Sequence, residues 1–380
     1  MLLWRTKVPG NLHLPSLDER SIFGAALVRR AEHYERFFYV EWVLGTIATL
    51  LVLAWMVRRG TRIARSLDLG PVNAGIILGT VTLTVVWAVS IPFDLASEWW
   101  QRRYGISRES YAQVIGSSWG GLLGTVSVVF IVLALLLGLA KRFGGRWWLA
   151  AAPLFVAISA VLQLVIPYAL TAGSHSLRDQ RLLAEVHQLE RREGAGDPQV
   201  LEETVSDTTT SANAYSVGYG PSERIVFWDT LLDGRFTAHE LRFVAAHELA
   251  HLAREHILKA IAWFALFVIP ILGAAAYFTE RRGGLRDPGN VPLALLVIFA
   301  AQLAASPLQN AISRRYEVEA DWVALNATHD PAAARGLFVQ FAVTSLEDPT
   351  PAGWVHILLD DHPTGLARIE QAAAWRQLNR

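Results

Sequence analysis

The residues with the clearest capacity for chemistry are the two histidines and the glutamate of His247-Glu-Leu-Ala-His251. On a helix, positions four apart lie about 40° from each other on one face, so the imidazoles of His247 and His251 can share one metal ion. Glu248 flanks that face, where it can take a proton from metal-activated water without being a ligand. The alternative is a pair of surface histidines on a helix beside a membrane.

A catalytic zinc ion needs a third protein ligand and an open position. The metzincin pattern is excluded, because the chain has Arg254 where that pattern needs glycine and Ile257 where it needs histidine. Further along, Glu317 and Asp321 share a helical face, whereas Glu319 points away from it. We expect a carboxylate of this face to complete a His/His/Glu site, and Asp321 can accept a hydrogen bond from a ligand imidazole. The alternative is an exposed helix of acidic residues and arginines.

The composition narrows the kind of protein. No cysteine occurs among the 380 residues, which excludes disulfides, thiolate ligands and cysteine nucleophiles and leaves nitrogen and oxygen ligands for a metal. The chain is 52% hydrophobic and 18% charged, too apolar for a soluble protein of this length. The 34 basic and 34 acidic residues cancel, so net charge favours neither nucleic acid nor an acidic partner. Lysine supplies only three of the basic residues, a bias that indicates a GC-rich genome and a bacterial source.

Six stretches contain the roughly 20 apolar residues that a helix needs to cross a membrane. They are 38–57, 73–93, 122–141, 147–171, 257–278 and 291–310. The polar insert 172–256 and the C-terminal region 311–380 are separated by two spans, so we expect both on one side of the membrane, where they can form one site. The first span follows a polar stretch and does not resemble a cleaved signal peptide. Basic residues are equally frequent on both sides, so they do not fix the orientation.

Local signals predict how the insert positions the motif. Thr237 and Glu240 have the spacing of a capping box, so the helix that carries His247 begins there. No glycine follows before the fifth span, and we expect this helix to continue straight into the membrane, with a bend at Pro270.

A β-hairpin is predicted before that helix, because 213–218 and 225–228 are rich in β-branched and aromatic residues and flank a Gly-Pro turn. An exposed edge at Asn213, Ala214 and Tyr215 can bind extended substrate by adding it as a strand. Alternatively, the hairpin only supports the helix.

The metal motif, followed after two spans by Ser313-Arg-Arg-Tyr-Glu-Val-Glu-Ala-Asp321, resembles the membrane-integral zinc peptidases of the CAAX prenyl protease 1 family and their HtpX-type relatives. The hairpin favours the former. So does Asp361-His-Pro-Thr-Gly-Leu-Ala-Arg-Ile369, which is similar to that family's HPPLLERL-type motif. The resemblance is close over about 205–372 and rests on hydropathy for the first four spans. Thr364-Gly365 replaces the usual Pro-Leu, and the family's seventh span is not expected at the amino terminus; both differences concern substrate choice more than chemistry.

The resemblance implies a polytopic, mainly α-helical membrane protein, whose spans enclose a chamber with one Zn²⁺ per chain at its cap and an active site facing the cytosol. A zinc-peptidase domain of helices and a small sheet lies at the membrane surface. The predicted regions are an N-terminal amphipathic segment (1–37), a four-span region (38–171), a catalytic insert (172–256), two transmembrane helices (257–310) and a C-terminal domain (311–380).

The expected activity is that of a zinc metalloendopeptidase that hydrolyses peptide bonds with zinc-activated water. The expected zinc ligands are His247, His251 and Glu317, with Glu248 as the general base and Asp321 behind a ligand imidazole. His362 can donate to the developing oxyanion, or else His362-Pro363 only caps a helix; Arg368 can anchor a substrate carboxylate or a structural one.

The expected partners are a peptide or protein substrate, with C-terminal lipidation as a family-based option, and the lipid bilayer. No nucleic acid is expected, the chain is predicted to be a monomer, and a bacterial source would place it in the plasma membrane. Three alternatives remain: an HtpX-like quality-control protease, a non-catalytic scaffold, and a transporter. The transporter rests on Glu41, Gln163 and Gln302 at or within apolar stretches, which form no repeated pattern.

Overall fold

Helices dominate the computed structural model, which describes residues 2–379 except for the side chains of Leu2 and Thr125. The outer ends of the first and last predicted regions, residues 1 and 380, lie outside this part. The first half of the chain contains a short helix and four long apolar helices: α1 (Glu19–Phe23), α2 (Ala25–Ser66), α3 (Pro71–Tyr104), α4 (Tyr111–Phe143) and α5 (Trp147–Leu170). A 3-10 turn connects α4 to α5, and the two pack together, so they account for two predicted spans.

The polar insert builds a small sheet between two helices. Its elements are β1 (His175–Ser176), α6 (Gln180–Glu193), β2 (Gln199–Glu203), β3 (Ala214–Val217), β4 (Arg224–Trp228) and α7 (Ala238–Ala253). The sheet order is β1-β2-β4-β3, with β2 parallel to β4 and the other pairs antiparallel. The β3–β4 pair confirms the predicted hairpin, and β3 is an edge strand. β1 and β2 have no counterpart among the predicted elements.

The second half of the chain returns to the membrane and then leaves it. Its helices are α8 (His256–Glu280), α9 (Val291–Thr328), α10 (Pro331–Ser345), α11 (Gly353–Leu358) and α12 (Gly365–Leu378). α9 runs without a break from the sixth span into the C-terminal region, and α2 begins well before the first span. Three predicted region boundaries, at 37/38, 256/257 and 310/311, therefore fall inside helices.

The predicted continuity between α7 and α8 is wrong. α7 ends at Ala253, and Glu255 has a left-handed backbone (φ 54°) before α8 begins at His256. On a straight helix, residues 254 and 256 would point about 200° apart. With the left-handed residue between them, Arg254 and His256 both reach the same buried carboxylate, that of Glu319.

The apolar helices carry the surface expected in a bilayer. Within residues 2–379, five helical runs, with α4 and α5 joined as one, are long and apolar enough to cross a membrane. Their large apolar side chains are widely exposed, for example Leu51 (66%), Leu123 (65%) and Val161 (58%). A mostly apolar cavity of about 610 Å³ lies between α2, α3 and α9, where the resemblance implies a chamber; Glu41 and Gln302 are among its lining residues.

The main core lies outside the membrane-spanning parts of the helices and fixes α7. Ala245, Ala246 and Leu249 are fully buried and belong to one cluster with residues of α6, the sheet, α9, α10 and α12. α8 and α9 pack against each other as consecutive helices, and α7 packs against the far end of α9. The pair α8 and α9 therefore carries the α9 carboxylates back to the helix that bears the two histidines.

Candidate active site

α7 holds the motif residues in a buried and well-capped helix. The Thr237 hydroxyl accepts the N–H of Glu240 at 3.3 Å, and the Glu240 carboxylate accepts the N–H of Thr237 at 2.7 Å, so the predicted capping box is confirmed. His247 and Glu248 are buried, each 8% exposed. A buried histidine and a buried carboxylate need partners: α9 supplies those of His247, and Ser216 on β3 hydrogen-bonds Glu248.

Two imidazole nitrogens and a carboxylate converge at the centre of the site. Nε2 of His247 lies 3.1 Å from Nε2 of His251, and the carboxylate oxygens of Glu317 lie 3.2 and 3.3 Å from these two nitrogens. Oε2 of Glu317 is buried and accepts no hydrogen bond within the described part of the chain. These three residues form a group that could hold a metal ion.

The other nitrogen of His247 is held by a buried ion pair. Nδ1 of His247 lies 2.9 Å from Oδ1 of Asp321, as the sequence predicts for a residue behind a ligand. Arg368 on α12 binds both oxygens of Asp321, through Nε and Nη2, each at 2.7 Å. The two alternatives for Arg368 were a substrate carboxylate and a structural one. In the structure its partner is a structural carboxylate, that of Asp321.

The electrostatics of the three motif residues differ. Burial lowers the pKa of His251 to about 3, so its imidazole is neutral, the form that binds a metal. Burial also disfavours charge on His247, but the carboxylates of Asp321 and Glu317 outweigh it and raise its pKa above the usual range. The site therefore attracts positive charge. Burial raises the pKa of Glu248 to about 7, in the range suited to a general base at neutral pH.

His251 has a partner that the sequence reasoning missed. Its Nδ1 lies 3.0 Å from Nδ1 of His256, whose Nε2 lies 3.2 Å from Oε2 of Glu319. Glu319 does point away from the Glu317 face, as expected, but it is fully buried rather than exposed. The sequence offered only two signs of this contact: His256 follows His251 by five positions, and Glu319 follows Glu317 by two.

His362 lies on the open side of the site, in the loop before α12. Its Nε2 is 3.5 Å from Oε2 of Glu317, its Nδ1 is 2.7 Å from Oδ1 of Asp361, and its side chain is 54% exposed. Burial lowers its pKa, but the carboxylates of Asp361 and Glu317 outweigh that effect and leave the pKa raised. The helix α12 is capped by Thr364, whose hydroxyl accepts the N–H of Ala367, so His362 is free of the alternative capping role.

The free edge of β3 runs beside α7. The N–H of Trp228 donates to the carbonyl of Asn213, and the strand register places Tyr215 opposite Val226. Because hydrogen-bonding residues alternate in antiparallel pairs, Ala214 and Ser216 present their backbone groups to the free edge. The Tyr215 hydroxyl donates to Glu203 at 3.0 Å.

A cleft of about 370 Å³ lies between this edge and the loop before α12. Asn213, His362 and Arg368 are among its lining residues. Asn213, from the predicted substrate-binding edge, and His362, from the predicted catalytic residues, therefore border one opening.

Comparison with known proteins identifies the family. A family model described as peptidase family M48 matches residues 176–376, which is more than half of the chain and includes every site residue described above. The chain belongs to peptidase family M48. Its predicted resemblance to membrane-integral peptidases is thereby confirmed at the level of the family.

Several bacterial relatives of this M48 chain are similar in sequence. The uncharacterized metalloprotease YhfN of Bacillus subtilis is 31% identical over 62% of this chain and 58% of its own length. A protease HtpX homolog of Methylibium petroleiphilum is 31% identical over 43% of this chain and 64% of its own length, and one of Acaryochloris marina is 29% identical over 70% and 91%. The chain thus spans less than two thirds of the first two relatives.

A solved structure confirms the fold. The crystal structure of S. mikatae Ste24p superposes with a TM-score of 0.77 over 97% of this chain and 92% of that chain, at 17% sequence identity. The likeness extends over the apolar helices, for which the sequence offered only hydropathy.

The Asp321–Arg368 pair gives a testable prediction. Arg368→Ala leaves a buried carboxylate without its main countercharge and should destabilise the protein by about 3–5 kcal/mol. Thermal unfolding of the metal-free protein in detergent measures this change. Arg376→Ala, an exposed arginine on the same helix, is the matched control, and equal shifts for the two variants would contradict the assignment.

Proposed function

We propose that the chain is a membrane-embedded zinc metalloendopeptidase. One observation carries the proposal: two imidazole nitrogens and a carboxylate lie 3.1–3.3 Å apart, and the buried carboxyl of Glu248 follows the first ligand in sequence. This combination provides ligands and a base for the hydrolysis of a peptide bond.

The donor set fits zinc. Tetrahedral zinc with bonds of roughly 2.0–2.2 Å separates its ligands by about 3.3–3.5 Å, close to the separations found between His247, His251 and Glu317. The unpaired buried Oε2 of Glu317 has a partner once a cation is bound. Nitrogen and oxygen ligands agree with the absence of cysteine from the sequence. We assign one Zn²⁺ per chain to these residues.

The chain's own residues then have separate roles. Zinc, when bound, supplies the Lewis acidity that polarises the scissile carbonyl and lowers the pKa of water. Glu248 takes the proton of the attacking water and delivers it to the leaving amine, so no covalent intermediate is needed. His362, on the open side, donates to the developing oxyanion. Asp321 fixes the ring of His247, and Arg368 neutralises Asp321.

We propose that substrate lies along β3 as an added strand. The outward carbonyl of Ala214 and the outward backbone groups of Ser216 provide the hydrogen bonds, whereas the N–H of Ala214 donates to Oδ1 of Asn213 at 2.9 Å. Asn213 lies at the edge of the cleft. Tyr215 supports the strand from behind, because its backbone faces β4 and its hydroxyl donates to Glu203. Such binding depends on backbone and tolerates many side chains, which suits an endopeptidase.

The substrate is a peptide or protein, and the motif resemblance to CAAX prenyl proteases extends it to C-terminally lipidated chains. The Ste24p fold supports this choice. Several relatives named protease HtpX homolog support the second candidate, a quality-control protease for membrane proteins. In both cases we propose a monomer in the bilayer, with its active site on the cytosolic side.

Glu248→Gln tests the mechanism. The variant keeps the ligands but has no base, so hydrolysis should fall by at least about 10²-fold while zinc content stays the same. Product formation and metal analysis on the same purified sample measure both quantities. The control is Glu255→Gln, which makes the same change at an exposed carboxyl. Turnover near that of the wild type in Glu248→Gln would refute the assignment.

The two candidate substrates can be separated by product mapping. A farnesylated CaaX peptide and an unmodified apolar peptide are incubated with wild type and with Glu248→Gln, and mass spectrometry locates each cut. A CAAX-type enzyme should cleave the lipidated peptide near its modified cysteine with the higher kcat/KM. Equal cleavage of both peptides at scattered apolar sites would instead favour the quality-control protease.

A further inference from the structure

The metal site has a second buried polar network, on the side of His251. His251 and His256 meet through their Nδ1 atoms at 3.0 Å, and the chain continues from Nε2 of His256 to Oε2 of Glu319 at 3.2 Å. The ring of His256 stacks on Tyr316 with centroids 4.6 Å apart and planes 15° apart. The imidazole of His256 is therefore held both in its plane and at both nitrogens.

The proton positions in this chain follow from the proposed metal site. His251 directs Nε2 at the ion, so its neutral ring carries the proton on Nδ1 and donates it to Nδ1 of His256. His256 must then be protonated on Nε2, and it donates to Glu319. The opposite arrangement would place a proton on Nε2 of His251, where it would block the metal. One set of tautomers thus gives a hydrogen-bond or metal partner to each ring nitrogen of His251 and His256.

Glu319 is the last member of this series of hydrogen bonds, and its carboxylate has fixed charged partners. Its side chain is 0% exposed, and it accepts hydrogen bonds at 2.9 Å from Nε of Arg254 and from the backbone N–H of Lys7. Nζ of Lys259 lies 3.7 Å away. A carboxylate so deeply buried remains charged only with such partners. The left-handed Glu255 allows Arg254 and His256 to face it together.

The two ligand histidines therefore have equivalent support. His247 donates directly to Asp321, which Arg368 pairs. His251 donates through His256 to Glu319, which Arg254 pairs. In metal sites, such partners fix the tautomer and orientation of the ligand ring and raise its basicity.

We propose that His256 is a positioning residue for the metal site: by accepting from His251 and donating to Glu319, it sets the tautomer and ring orientation of His251 and so raises the affinity for zinc. This inference rests on the proposed zinc site. It assigns His256 no contact with substrate.

The test compares three replacements of His256 that keep different hydrogen bonds, either the one from His251, the one to Glu319, or neither. His256→Asn places an amide oxygen near the former Nδ1 and can still accept from His251. His256→Gln places its amide near the former Nε2 and keeps the bond to Glu319 only. His256→Leu fills the space and keeps neither. Zinc affinity of the purified protein is measured by competition with a chromophoric chelator, without substrate, and metal-free stability by thermal unfolding.

We expect His256→Gln and His256→Leu to lower zinc affinity by about 10–100-fold, the usual effect of losing such a partner, and His256→Asn to recover most of it. A purely structural role would lower metal-free stability and leave the affinity of all three variants unchanged, which would overturn the inference. If His256→Leu does not fold, the comparison of Asn with Gln still decides. His239→Leu, an exposed histidine on α7 that pairs with Asp330, is the control and should bind zinc as wild type does.

The outcomes separate this inference from the proposed function. A wild-type protein that binds no zinc refutes the proposed metal centre itself. A wild type that binds zinc tightly, with His256→Gln and His256→Leu variants that bind it as tightly as the wild type, refutes only the role of His256.

Discussion

The structure depends on one constraint: two imidazoles and a carboxylate must be held about 3 Å apart in a buried site, although two membrane helices separate them in the sequence. His247 and His251 precede α8, and Glu317 follows the apolar part of α9. Because α8 and α9 pack against each other, the end of α9 lies beside α7. Without that packing, the two imidazoles would face a membrane interface with no carboxylate.

The buried charges of α9 are distributed by helical geometry. Glu317 and Asp321, four residues apart, face α7, and both contact His247. Glu319, between them, faces the start of α8 and gathers Arg254, His256 and Lys259. Because an unpaired buried charge is strongly destabilising, each carboxylate constrains the elements that supply its partners. The break after α7 brings Arg254 and His256 to Glu319. The segment before α1 brings the backbone N–H of Lys7 to the same carboxylate.

Much of this site was accessible from sequence because its rules are local. The spacing of His247 and His251, the capping box at Thr237 and the shared face of Glu317 and Asp321 each follow from helix geometry. The break at Glu255 was not predictable from its neighbours, because no glycine or proline marks it. The break depends on Glu319, whose place beside Arg254 and His256 is set by helix packing. For the same reason β1 and β2 were missed: the five-residue β2 is stabilised by pairing with β4 and the two-residue β1 by pairing with β2, not by their own pattern.

The central claim is that a zinc ion is bound jointly by α7 and α9. X-ray absorption at the zinc K-edge, on wild type and Glu317→Gln protein loaded with one equivalent of zinc, tests it most directly. In the wild type we expect a nitrogen and oxygen shell at about 2.0–2.1 Å with the multiple-scattering signature of two imidazoles. We expect loss of tight zinc binding in Glu317→Gln. The same spectrum and the same occupancy in both proteins would contradict the claim.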